Sequence, residues 1–283
     1  MKLVIDEQFK AFLEDFRTGK YRSPLDVPAY VWGSLAWELI DKKTSQEILL
    51  HFMRHQVDRA IRTMPEIYSK GYAQRKISGS MLETMDDFYK IPALMKDATM
   101  SGTGIREKVK TNPYVMLPND VKKGYYVFKS GGTRGVPTPT FITELDREIE
   151  STAWTRGSKY EGMKAGDVAL MTYNPTHKGG EEMKENIEKM GMSCVIKRTN
   201  EEAADVIKCI ADYKVNVLYT VQGPVNESDA QQKGPGVDLL KLVEAGHTVL
   251  EENIKVLFLG GYRLIPEAIE WAKTSGISLV TLL

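Results

Sequence analysis

Six short apolar runs constrain this chain more than any other feature. They are "YYVFK", "DVALMT", "SCVIK", "VNVLYT", "IKVLFL" and "ISLVTLL", each of strand length and rich in Val, Ile, Leu and Tyr. A strand with one wet face alternates apolar and polar residues; these runs are apolar almost throughout, as strands buried on both faces are. Helical patterns separate them. Phe141, Leu145, Ile149 and Ala153 recur every four residues, and Ala203, Val206, Ile207 and Ile210 form a second stripe that Thr199 and Glu202 open as a capping box. The expectation is an α/β fold: a helical N-terminal portion followed by a mostly parallel sheet with helices on both faces. Ligands of such sheets bind at the loops beyond the carboxyl ends of the strands.

The chain changes character near residue 100. Leu49, Met53, Val57, Ala60 and Met64 make one apolar stripe on a helix, with Thr44 and Glu47 as a capping-box start and Pro65 just past its end. "DDFYKIPALMK", with Pro92 after Ile91, reads as a bend. The expected division is therefore 1–100, a mainly helical portion packed on the core as a lid or packing layer, and 101–283, an α/β portion that binds the ligand.

Charge and cysteine content remove several function classes. Lys+Arg and Asp+Glu are both 38, so no basic excess points to nucleic acid. The two cysteines, Cys194 and Cys209, lie in apolar stretches and read as reduced core residues rather than a secreted disulfide framework. The N-terminus "MKLVIDEQFKAFLEDF" carries acids too early for a secretory signal, and no run reaches the ~18 apolar residues of a membrane span. A cytoplasmic protein with no nucleic-acid or membrane partner is expected. No cluster has metal-ligand spacing, so no structural metal is expected.

One loop stands out. "SGGTRGVPT", Ser130 to Thr138, follows the "YYVFK" strand and precedes the helix expected from about Thr143. This places it between a strand and a helix, at the carboxyl edge of the sheet. Gly131, Gly132 and Gly135 let backbone approach a ligand closely. Ser130, Thr133 and Thr138 offer hydroxyls, and Arg134 a planar cationic fork suited to phosphate. Successive N–H groups in such a turn can hold an anion. The alternative is an ordinary Gly- and Thr-rich turn. Neither G-x-x-x-x-G-K-[ST] nor G-x-G-x-x-G is present.

The same nine residues resemble, without a gap, the phosphate loop of adenylate-forming enzymes, commonly S-S-G-T-T-G-x-P-T/K. Within that superfamily the chain looks most like the phenylacetate–CoA ligase group. "HFMRHQVDRAIRTMPEIYSKGY" resembles that group's early helix and proline–tyrosine stretch, and "LETMDDFYKIPALMKDAT" its following segment. "GMKAGDVALMTYNPTHKGG" resembles the strand and loop after the phosphate motif, and "IKVLFLGGYRLIPEAIEWAKTSGISLV" its GGE-type strand and turn. The resemblance runs in order from about residue 45 to 283. Three departures stand out: Arg134 where relatives usually carry Thr, with Val136 often Lys; Tyr262 where many carry Glu; and a sequence that stops at Leu283 inside an apolar strand pattern.

The resemblance implies ATP-dependent activation of a small-molecule carboxylic acid as an acyl-adenylate, then transfer to a thiol, with ATP, Mg2+ and CoA required. Ser130, Gly131, Gly132, Thr133, Arg134, Gly135 and Thr138 would hold phosphates. Gly260, Gly261 and Tyr262 would lie against adenine, a plain strand-to-helix turn being the alternative. Tyr173, His177, Gly179 and Gly180 would line the acid pocket, although a loop histidine is often simply solvated; Lys178 reads as exposed. The catalytic groups are expected beyond Leu283, in a loop that holds magnesium and in a small C-terminal domain. The chain is expected to be part of a longer protein, or to be completed at its last strand by a second copy or another chain. Two further readings are an adenylating enzyme with a protein-thiol or amine acceptor, and a remnant that binds nucleotide or a partner without turnover.

Overall fold

The structure, a computed structural model, describes residues 4–92, 98–99, 102–122, 124–129, 136–172, 178–196, 202–221, 239–260 and 266–282. The chain divides into two compact units, Met1–Ile149 and Glu150–Leu283.

The first unit is largely helical. Helix α1 (Glu7–Arg17) starts at Asp6, whose carboxylate accepts from Phe9 N at 2.8 Å. After the short α2 (Ala29–Trp32) come α3 (Lys42–Thr63) and α4 (Pro65–Gln74), divided at Pro65 as the sequence predicts. The start of α3 differs from the expected capping box. Asp41 caps it, accepting from Thr44 N at 2.9 Å and from Thr44 Oγ1 at 2.7 Å, so Thr44 lies inside the first turn. The aspartate three residues upstream takes the Thr44 N–H and starts the helix one turn earlier. Phe9, Phe12, Val31, Ile48 and Phe52 make the aromatic-rich cluster that joins α1, α2 and α3. Gly79 sits where a Cβ would come within 2.2 Å of the Arg54 carbonyl oxygen, and its N–H donates to Asp58 at 2.6 Å. Only glycine admits that approach of a 3-10 turn to α3.

The unit continues through a ladder of β1 (Ala98–Thr99) and β2 (Gly102–Thr103), then α5 (Ile105–Thr111). Strands β3 (Tyr125–Lys129) and β4 (Pro139–Thr143) pair antiparallel, Tyr125 opposite Thr143 and Lys129 opposite Pro139. This corrects one expectation. Phe141 belongs to a strand and not to the following helix, so the glycine-rich segment closes a hairpin rather than leading from a parallel strand into a helix. Helix α6 (Glu144–Tyr160) begins directly after β4, with Thr143 and Asp146 bonded reciprocally: Thr143 N donates to Asp146 at 2.8 Å, and Asp146 N donates to Thr143 Oγ1 at 3.1 Å. The unit boundary falls within α6.

The second unit is the doubly covered parallel sheet that the sequence predicts. Strands β5 (Val168–Met171), β6 (Ser193–Ile196), β7 (Val217–Val221), β8 (Val256–Gly260) and β9 (Ser278–Leu282) are all parallel, in the order β6-β5-β7-β8-β9. Helices α7 (Lys178–Lys189), α8 (Ala203–Tyr213), α9 (Leu239–Asn253) and α10 (Pro266–Thr274) lie between them in sequence. Alternate strand residues serve alternate faces. Leu170, Leu218, Leu257 and Leu259 pack with Ile210, Leu242 and Ala272 of α8, α9 and α10. Ala169, Met171, Tyr219 and Phe258 pack with Met183 and Ile187 of α7. Helix α8 starts at Ala203 with Glu202 as cap and no side-chain capping bond; Thr199, on which the expected capping box rests, lies outside the described residues. Cys194 and Cys209 carry free thiols. At the amino ends of the strands, buried Asp167 accepts from Lys255 Nζ at 2.7 Å, Asn216 Nδ2 at 3.1 Å and Lys164 N at 2.9 Å. No helix among the described residues is long and apolar enough to cross a membrane.

Candidate functional site

The chain order of the sheet identifies one edge position by topology. From β5 the chain moves to β6 on one side and then to β7 on the other, so β5 and β7 flank a switch point, the position at whose carboxyl ends ligands of open parallel sheets bind. Thr172, the residue after β5, locks these two ends together. Its N–H donates to the Tyr219 carbonyl at 3.0 Å, its hydroxyl bonds Thr220 Oγ1 at 3.0 Å, and both threonines are fully buried.

Helix α7 begins at this edge. Gly179 and Gly180 occupy its first turn, Gly180 buried. Gly260 is the last residue of β8, paired with Val221 and with Leu282, and so reaches the same carboxyl edge across β7. Three of the residues expected at the site thus share one edge of one sheet. Tyr173 and His177 follow β5, and Gly261 and Tyr262 follow β8, but all four lie outside the described residues.

Lys178 is not the exposed side chain that the sequence suggests. It is half-buried at the head of α7, donating to Glu150 of α6 at 2.9 Å and to Glu182 one turn on. Burial raises the Glu182 carboxyl; the neighbouring Glu150 adds to this, Lys178 opposes it, and the result is about 7. Burial works to lower the Lys178 ammonium, yet its bonds to the two carboxylates outweigh that and raise it. The Lys178–Glu182 spacing of four is legible in the sequence. Glu150, 28 residues upstream of Lys178, carries no such signal.

In the first unit, the hairpin ladder ends where Lys129 faces Pro139, so Ser130 to Thr138 must span the gap between two fixed strand ends. Ser130, Gly131, Gly132, Thr133, Arg134 and Gly135 lie outside the described residues; Thr138 is half-buried just before β4. Beside the hairpin is a cavity of about 670 Å³ walled by Lys110, Tyr114, Lys129, Val136 and Phe141, among others. Its two lysines give it a cationic component, although Lys110 also pairs with Glu107 at 2.5 Å. Among the described residues no group of three or more His, Cys, Asp or Glu side chains is placed to hold a metal ion.

No family model matches the sequence, and no curated protein matches it. Solved structures do match the fold. A structure of 2-hydroxyisobutyryl-CoA ligase in an open conformation, in complex with 2-HIB-AMP and CoA, matches 87% of this chain and 55% of its own, at 16% identity and a TM-score of 0.62. The same ligase with 2-HIB-AMP and CoA in the thioesterification state matches 87% of this chain and 50% of its own, at 17% identity and a TM-score of 0.63. In the postadenylation state with R3-HIB-AMP, 87% and 49% match, at 16% identity and a TM-score of 0.62. The chain spans about half the length of these ligases. Identity at this level establishes shared fold and nothing finer.

Proposed function

We propose that this chain is the large nucleotide- and acid-binding portion of an AMP-forming acid–thiol ligase of the phenylacetate–CoA ligase type. The carrying observation is the "SGGTRGVPT" sequence between the paired strands β3 and β4, with the described residues Lys129, Val136 and Pro139 lining a cavity together with Lys110, in a fold shared with a ligase solved with 2-HIB-AMP and CoA.

In the proposed reaction the acid carboxylate attacks the α-phosphorus of ATP, its oxygen–phosphorus bond forming as the bond to pyrophosphate breaks. A thiol then attacks the acyl carbon and AMP leaves with the bonding pair. The first step gathers charge on phosphoryl oxygens, so its demands are donors and cations held in place beforehand. Backbone N–H groups of Gly131, Gly132 and Gly135, the hydroxyls of Ser130, Thr133 and Thr138, and the Arg134 guanidinium would meet the β- and γ-phosphates. Gly260 and Gly261 would leave room for adenine, Tyr262 would offer it a ring, and Tyr173, His177, Gly179 and Gly180 would bound the acid. Mg2+ would accompany the triphosphate and neutralise part of its charge.

The reading is tested by calorimetric binding of ATP and of a panel of non-hydrolysable acyl-AMP analogues with aromatic and aliphatic acyl groups. Binding that depends on the class of acyl group and is lost in Gly132→Val supports it; ATP binding with no preference among acyl groups favours a nucleotide-binding role alone.

A further inference from the structure

Among the described residues, the apolar stripe of α3 meets a buried cluster only at its last member, Met64, which packs against Ile67, Ile105, Val109 and Val115. Helix α3 buries Ile48 and Phe52 against the aromatic cluster, while Leu49, Met53, Val57 and Ala60, one residue round the helix, contribute to none of the buried clusters among the described residues. They line a cavity of about 890 Å³ that lies wholly within the Met1–Ile149 unit. Tyr68 and Tyr72 of α4, Trp32, and the Phe88–Pro92 stretch contribute to the remaining walls. The walls are braced: Tyr72 OH donates to the Pro92 carbonyl at 3.0 Å, and Trp32 stacks on Trp37 with centroids 5.5 Å apart and planes 3° apart.

We propose that this cavity is a binding site for a neutral, apolar small molecule, an aliphatic chain or a fused aromatic body. Its volume is that of sites for such ligands, about 300–1,000 Å³. Among the described residues lining it, none is charged and Gln56 carries the one side-chain amide, so the buried part of the ligand is uncharged. Aromatic walls on several sides enclose a compact molecule better than a flat partner surface. Tyr89, 85% exposed, marks the mouth, where a polar end of the ligand would reach water. None of the described lining residues belongs to the β3–β4 hairpin, so the proposal does not rest on nucleotide chemistry.

The test uses the 283-residue chain and the neutral fluorophore N-phenyl-1-naphthylamine. Saturable, single-site binding is expected, with energy transfer from Trp32 and displacement by dodecan-1-ol. Val57→Asp places a charge in the wall and should weaken binding at least tenfold. Ala60→Leu adds only apolar volume, should also weaken binding, and carries the test if Val57→Asp fails to fold, as judged by circular dichroism. Three results would overturn the proposal: non-saturable binding, unchanged affinity in the folded variants, or a mass by light scattering that falls from dimer to monomer in them. The last would assign this face to a second copy of the chain.

Discussion

Leu218 and Val57 are both aliphatic residues on regular elements, and their surroundings differ completely. Leu218, in β7, has no exposed surface and belongs to the cluster formed with α8, α9 and α10. Val57, in α3, is half-buried and faces the 890 Å³ cavity. In the Glu150–Leu283 unit each sheet face meets helices, so successive strand residues are buried in turn. In the Met1–Ile149 unit α3 carries two adjacent apolar faces; among the described residues the buried clusters take in Ile48 and Phe52 of one face and only the Met64 end of the other. Apolar periodicity therefore shows that a face seeks cover without showing what covers it.

The comparison is broken most directly by truncation. Leu218→Ala should cost about 2–5 kcal/mol in urea unfolding, the range for a buried leucine that leaves a cavity. Val57→Ala should change stability by no more than about 0.5 kcal/mol, as for a position outside the packed core. Equal losses would mean that the α3 stripe is core after all.

A smaller effect separates the two edges of the sheet. Asp167→Ala removes three bonds at the amino edge; Lys255 is 38% exposed, so the loss should be about 1–3 kcal/mol. Burial works to raise the Asp167 carboxyl, but the bonds from Lys255, Lys164 and Asn216 outweigh it and hold the group below its ordinary value. Its contribution is present above the unfolded carboxylate range and is lost as pH falls through the depressed value. Thermal melts from pH 6 down to about 2 should fall more steeply for the native chain than for Asp167→Ala.

The smallest effect has the opposite sign. Glu182 is raised from 4.5 to about 7, so its contribution is fully present below 4.5 and is lost as pH rises toward 7. Glu182→Gln should flatten that decline in melting temperature between pH 4.5 and 7. An unchanged slope would show that Glu182 stays ionised beside Lys178.

The parallel sheet was legible because its signal repeats: each strand is an apolar run, and both faces need cover. Strand β4 was not. Its proline, Pro139, argues against a strand, and Phe141 happens to lie four residues before Leu145, which imitates a helical stripe. Pro139 is tolerated because it opens the strand opposite Lys129 in a two-stranded ladder. The α3 cap was misread because Thr44 and Glu47 match the capping-box spacing, while Asp41, the better capping residue, lies one turn earlier. At the site, the edge positions of Gly179, Gly180 and Gly260 follow from strand–helix alternation. The Glu150–Lys178 contact and the Thr172–Thr220 lock arise from pairing between distant segments, which no local pattern encodes.

The central claim is that Ser130 to Thr138 holds a triphosphate. Calorimetric titration of the purified chain with ATP and Mg2+ tests it, with Arg134→Ala as the comparison. A charge-assisted hydrogen bond contributes roughly 1.5–3 kcal/mol, so the variant should bind ATP about tenfold more weakly or worse, with its melting temperature unchanged. Absence of ATP binding by the native chain, or equal affinity in the two proteins, would contradict the claim.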